Sequence, residues 1–122
     1  MSQTLDMDAA ERERDKRIRR RMLFVLHEAR SSPKNGLHAR LLCDVLRRSM
    51  AHGQSITDDG HAMGLIRDLV NAGYVTETRL ERRRGQEHGI DTMFVQITAK
   101  GSQLWLEQIP PDPLVDDNRE VD

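Results

Sequence analysis

One cysteine, four aromatic side chains and four prolines in 122 residues put several architectures out of reach. With Cys43 as the single cysteine no intramolecular disulfide can form, and a thiolate zinc centre is not expected. Cys43 stands in an apolar helical run and reads as a small buried thiol. The aromatics are Phe24, Tyr74, Phe94 and Trp105, too few for a base-stacking platform of the single-strand-binding kind. Aliphatic side chains must fill most of the core. No apolar run approaches the roughly 20 residues of a bilayer-spanning helix, and the N-terminus carries no apolar segment of a secretion signal. No membrane partner is expected, and the chain reads as cytoplasmic. Net charge is nearly absent as well, 19 Lys and Arg against 20 Asp and Glu giving −1.

That total hides a division. From Asp112 to Asp122 five carboxylates stand against Arg119, a net of −4, which leaves +3 on the rest of the chain. Two clusters, Arg12 to Arg21 and Arg79 to Arg84, hold most of the positive charge. The chain is a mildly basic body with an acidic tail, a distribution that suits a polyanionic partner.

The length allows one domain with a core of about 90 residues. Ile18, Met22, Val25, Leu26 and Ala29 recur at helical spacing and predict a first helix from about Asp8 to Arg30. Its part before Ile18 has almost nothing apolar and either projects into solvent or packs on a partner. Ser31-Ser32-Pro33-Lys34-Asn35-Gly36 breaks the chain. A second helix over Leu37–His52 sets Leu37, Leu41, Leu42, Val45, Leu46 and Met50 on one broad face, and Gly53 ends it. Ser55 or Thr57 caps a third helix running to Ala72, with Ser55 and Asp58 in the Ser-x-x-acid pattern. Ala62, Ile66, Leu69 and Val70 form its buried stripe. Gly60 and Gly64 are poor helix formers that permit close approach of another helix. Gly73 takes the left-handed conformation past the helix end. Strands follow over Tyr74–Glu81 and Thr92–Thr98, the second with period-two alternation of Met93, Val95 and Ile97. Thr98 then caps a closing helix over Ala99–Gln108 that packs Leu104. The expected organisation is a polar, partly helical extension over 1–17, a domain over 18–109 and an acidic disordered tail over 110–122.

Two blocks carry a resemblance. Gly64-Leu65-Ile66-Arg67-Asp68-Leu69-Val70-Asn71-Ala72-Gly73-Tyr74-Val75 looks like the leucine-spaced, Gly-aromatic-Val helix end common in bacterial regulators. Val95-Gln96-Ile97-Thr98-Ala99-Lys100-Gly101 looks like their Leu-Thr-x-Lys-Gly block. Over about Ile18 to Gln108 the chain resembles the winged helix-turn-helix superfamily, and in size and layout it is similar to short winged-helix proteins of Mu-like phages. The resemblance implies an α+β, mostly α fold of three helices, a two-stranded wing and a closing helix. It further implies that the third helix enters the major groove of double-stranded DNA while the wing touches backbone or minor groove.

Arg79, Arg82, Arg83, Arg84 and His88 lie on or near the hairpin, where guanidinium groups reach phosphates. They are equally the charges of a solvated loop that keeps an edge strand from aggregating. On the third helix His61 and Arg67 are available for base edges. Its first turn, Asp58-Asp59, caps the helix and complements its dipole, but also turns carboxylates towards phosphates. Glu13 with Arg17 and Asp15 with Arg19 sit at the i, i+4 spacing of a solvated helix. Arg40, Arg47 and Arg48 either meet backbone or simply make a charged outer face. None of the five histidines stands in a ligand pair, so no metal or other cofactor is expected. Without a nucleophile beside an evident base, or a Gly-rich phosphate loop, no enzymatic activity is expected either. Two functions remain: a DNA-binding regulator, dimeric through its first and last helices, or a protein-interaction module on the same scaffold.

Overall fold

A computed structural model describes residues 2–31, 36–79 and 89–115, with the backbone alone for residues 2–8. The elements in chain order are α1 (Ser2–Glu28), β1 (Leu37–His38), α2 (Ala39–Ser49), α3 (Asp59–Asn71), β2 (Val75–Arg79), a 3-10 turn (Ile90–Thr92), β3 (Met93–Ile97) and α4 (Ala99–Trp105). The class is α+β and mostly helical. Ile18, Met22, Leu23 and Leu26 of α1 meet Leu42, Cys43 and Leu46 of α2, Leu65, Ile66 and Leu69 of α3, and Val75, Met93 and Val95 of the sheet in one buried cluster. Cys43 is fully enclosed there, and burial pushes its thiol pKa up.

Among the described residues the sheet has three antiparallel strands in the order β1-β3-β2, not two. The added strand is Leu37–His38, expected as the start of the second helix. Leu37 pairs with Val95 and His38 with Phe94. Gly36 explains the difference: its φ is +83°, and a Cβ there would stand 2.4 Å from the Val95 carbonyl oxygen. Only glycine lets the backbone run this close to β3. His38 is then extended and its Nδ1 accepts the Arg40 N–H at 3.1 Å, so α2 cannot start before Ala39. The buried stripe of α2 is Ala39, Leu42, Cys43 and Leu46, which leaves Leu41, expected on that face, 49% exposed.

At the other end α2 stops at Ser49, short of the expected His52. The α3 cap is Asp58, whose carboxylate accepts the His61 N–H at 2.8 Å, in place of Ser55 or Thr57. Buried Ile56 pins that loop so that Asp58 arrives at the helix start. Gly64 meets nothing within 4 Å, so it serves no helix contact among the described residues.

The two family-like blocks lock onto each other. Gly73 (φ +85°) ends α3, with Tyr74 N–H on the Leu69 carbonyl and Gly73 N–H on that of Val70, both 3.0 Å. The carbonyls left over are taken by the second block. Thr98 donates its N–H to Tyr74 O at 3.0 Å and its hydroxyl to Gly73 O at 2.7 Å. Lys100 Nζ donates to Ala72 O at 3.0 Å, a cation on the negative end of the α3 dipole. Thr98 also caps α4, accepting the Gly101 N–H at 3.0 Å. Gly101 must be glycine, because a Cβ would lie 2.1 Å from Tyr74 O.

The chain after α4 packs as well. Residues 110–115, expected in the disordered tail, run back along the body, and Val115 is buried. Tyr74 donates its hydroxyl to Asp112, and Arg19 donates to the Leu114 carbonyl at 2.9 Å. The remaining tail residues, 116–122, lie outside the described residues.

Candidate nucleic-acid interface

α3 buries Ala62, Leu65, Ile66 and Leu69. The opposite side therefore presents Gly60, Gly64, Arg67 and Asn71 to solvent in one stripe. Among the described residues Arg67 makes no hydrogen bond or ion pair. It is the cation this face offers.

The acidic first turn is engaged internally. Asp58 holds the helix cap. Asp59 grips Arg40 in a fork, Nη1 to Oδ1 at 2.9 Å and Nη2 to Oδ2 at 2.8 Å. Arg40 also reaches Asp91, Nε to Oδ1 at 2.9 Å and Nη2 to Oδ2 at 3.2 Å. Arg47 stands 4.0 Å from Asp59. These hydrogen bonds draw the pKa values of Asp59 and Asp91 below the usual carboxylate range, and raise that of Arg40. One guanidinium thus ties together the starts of α2 and α3 and the turn before β3. Sequence reasoning missed this, since Asp59 and Asp91 lie 19 and 51 residues from Arg40 and no short-range spacing marks the pairing.

His61, expected to face base edges, turns inward. Its Nδ1 accepts the Thr57 N–H at 3.1 Å, so the ring proton sits on Nε2 and is donated to Asp15 Oδ1 at 2.8 Å. The side chain of an early helical residue leans back over the preceding turn, and here that direction leads to α1. Arg79 is exposed at the end of β2 and pairs with Glu77 at 3.2 Å. Arg82, Arg83, Arg84 and His88 lie outside the described residues. Among the described residues no hydrogen bond or ion pair joins His61, Arg67 and Arg79.

Tertiary partners also replace the expected pairs along α1. Arg17 donates to Gln54 at 2.8 Å rather than pairing with Glu13, and Arg19 takes Asp68 at 2.7 Å rather than Asp15. At the α1–α4 contact Trp105 packs on Phe24 of its own chain with centroids 5.3 Å apart, and His27 Nδ1 lies 3.1 Å from Ser102 Oγ. Among the described residues no three His, Cys, Asp or Glu side chains gather as a metal group, and no helix is long and apolar enough to cross a membrane. No protein-family model, curated protein or solved structure matches the chain.

Proposed function

We propose that the chain is a small winged-helix protein that binds double-stranded DNA as a transcriptional regulator. In this reading α3 enters the major groove while the arginine-rich segment from Arg79 to His88 acts as the wing on adjacent backbone. The observation that carries the reading is the state of the α3 first turn. Its two carboxylates are occupied by the His61 N–H and by Arg40, while Arg67 stands exposed about two turns further along the same helix. Arg40, with Arg47 4.0 Å from Asp59, offsets part of the negative charge at the helix start, and the exposed Arg67 offers a guanidinium to an approaching phosphate. Dimerisation through α1 and α4 belongs to the same proposal. Leu106, 49% exposed just past α4, is an apolar side chain that such pairing covers. A protein-interaction module is the second reading, favoured by the net charge of −1.

Duplex binding followed by fluorescence anisotropy at about 50 and 200 mM salt separates the two. The DNA reading expects affinity that falls steeply with salt. It further expects about a tenfold loss in Arg67→Ala and a shallower salt slope in the Arg82→Ala, Arg83→Ala, Arg84→Ala triple variant. Absence of a shift at either salt concentration, or variants that bind like the parent, overturns it. Light scattering on the same samples tests the dimer.

A further inference from the structure

The run of arginines on α1 ends in a cleft unlike the rest of the surface. Arg17, Arg20, Arg21 and Phe24 of α1, Met50 after α2, and Trp105 of α4 enclose about 280 Å³. That is near the lower limit of small-ligand pockets, which start at roughly 300 Å³. Among the described residues no carboxylate lines it. Among the described residues Arg17 has only the neutral amide of Gln54 as a hydrogen-bond partner, and Arg21 only the ring of Phe24, 5.6 Å from its centroid. Arg20 stacks 4.7 Å from the Trp105 centroid. Guanidinium groups and aromatic rings, two of the four in the chain, therefore share one wall.

The cleft continues. Met50 also lines a neighbouring cavity of about 590 Å³, and Arg17 another of about 360 Å³; Arg14 is common to these two. Arg47 and His52 add further basic side chains to the larger one. Arg14 Nε and Ser55 Oγ, both among its lining residues, are buried without a hydrogen-bond partner. Basic side chains recur along the groove, with Glu11 and Glu13 on the wall of its Arg17–Arg14 stretch, and its apolar, aromatic end is free of carboxylates among the described residues; that end suits an anion that carries a flat ring.

We propose that this α1 groove binds a nucleotide unit, its phosphate on Arg17 and Arg21 and its base against Phe24 and Trp105. Stacking of bases on aromatic side chains beside a positively charged groove is how unpaired nucleotides are held without regard to sequence. The unit comes either from a free mononucleotide or from an unpaired strand, whose further phosphates would follow the groove towards Arg14. The site lies on α1 and α4, away from the α3 stripe; it stands whether or not α3 binds duplex, and it requires that any pairing through α1 and α4 leave Phe24 and Trp105 uncovered.

Trp105 is the only tryptophan, so its fluorescence reports on the cleft directly. Adenosine monophosphate, a hexamer of thymidylate, adenosine and inorganic phosphate are titrated against the full chain. Saturable change with the monophosphate, and adenosine weaker by about tenfold or more, is expected from the loss of charge-assisted contacts. A hexamer no tighter than the monophosphate assigns the site to free nucleotides. A hexamer about tenfold tighter, with a salt slope of about −0.7 per phosphate, assigns it to unpaired strands. The Arg17→Gln, Arg21→Gln double variant and the Arg21→Gln single variant, each checked for unchanged circular dichroism, lose affinity by about tenfold or more and by less, respectively. Arg67→Ala leaves the titration unchanged, so the two readings fail separately. The proposal is overturned by no saturable change with either nucleotide up to about 1 mM, the weak end of specific binding. Adenosine binding as tightly as its monophosphate, or unaltered affinity in the double variant, overturns it too.

Discussion

Two glycines in this chain respond to the same substitution with opposite signs. In Gly101→Ala the new methyl falls 2.1 Å from Tyr74 O and 2.8 Å from Ile97 Cγ1. The first of these is backbone and cannot swing aside. Relief requires α4 to back away from the end of α3, and that loosens the Thr98 N–H bond to Tyr74 O and the Lys100 bond to Ala72 O. Overpacking costs about 1–3 kcal/mol, and each hydrogen bond released adds about 1 kcal/mol. Alanine's better helix propensity returns about 1 kcal/mol. The net loss is about 2–4 kcal/mol out of a total of roughly 5–15. Gly64→Ala adds its methyl to open space in mid-helix, so only propensity acts and stability rises by about 0.5–1 kcal/mol. Urea denaturation reads both changes as midpoint shifts at constant slope. With a slope of about 2 kcal/mol per molar, Gly101→Ala moves the midpoint down by about 1–2 M and Gly64→Ala moves it up by a few tenths. A Gly101→Ala midpoint equal to or above that of the parent refutes the interlock of the two blocks.

Burial and the Asp112 carboxylate push the Tyr74 pKa up to about 12. Because the folded state holds this proton more tightly, the stabilisation is complete below about pH 10 and is lost as pH rises towards the folded value. Tyr74 is the only tyrosine, so phenolate absorbance follows it alone; a midpoint near pH 10 contradicts the buried contact. Arg40→Met removes the partner of both Asp59 and Asp91, whose folded pKa values lie below the ordinary range. Depressed carboxylates stabilise above their unfolded pKa of about 4, and that contribution disappears as pH falls through the folded value. The denaturation midpoint of the variant therefore falls less steeply on acidification than that of the parent, whereas identical acid limbs rule the network out.

The sequence exposed the end of α3 and the start of α4 better than the other helix ends or the partners. Gly73, Thr98 and Lys-Gly at 100–101 mark their turns through properties of single residues: freedom at positive φ, a hydroxyl that caps, a missing Cβ. The second helix was mis-registered for the converse reason. Leu37-His38 has helical apolar spacing with Leu41 and Leu42, and only the approach of Gly36 to β3 converts it to a strand. The same holds for charges. Glu13–Arg17 and Asp15–Arg19 satisfy the local rule, yet Gln54, His61 and Asp68 are geometrically better partners brought in by the packing of α3 and its loop on α1. Of the candidate site, Arg67 and its exposure followed from periodicity, while the inward turn of His61 did not.

Chain chemistry alone therefore determined the class, the number of helices and the basic body with its acidic end, because propensity, periodicity and net charge are local or additive. Tertiary structure decided the third strand, the pairing of Asp59 and Asp91 with Arg40 and the gathering of Arg17, Arg21, Phe24 and Trp105 around one cleft. These depend on distances between residues remote in sequence, and only the packed core sets such distances.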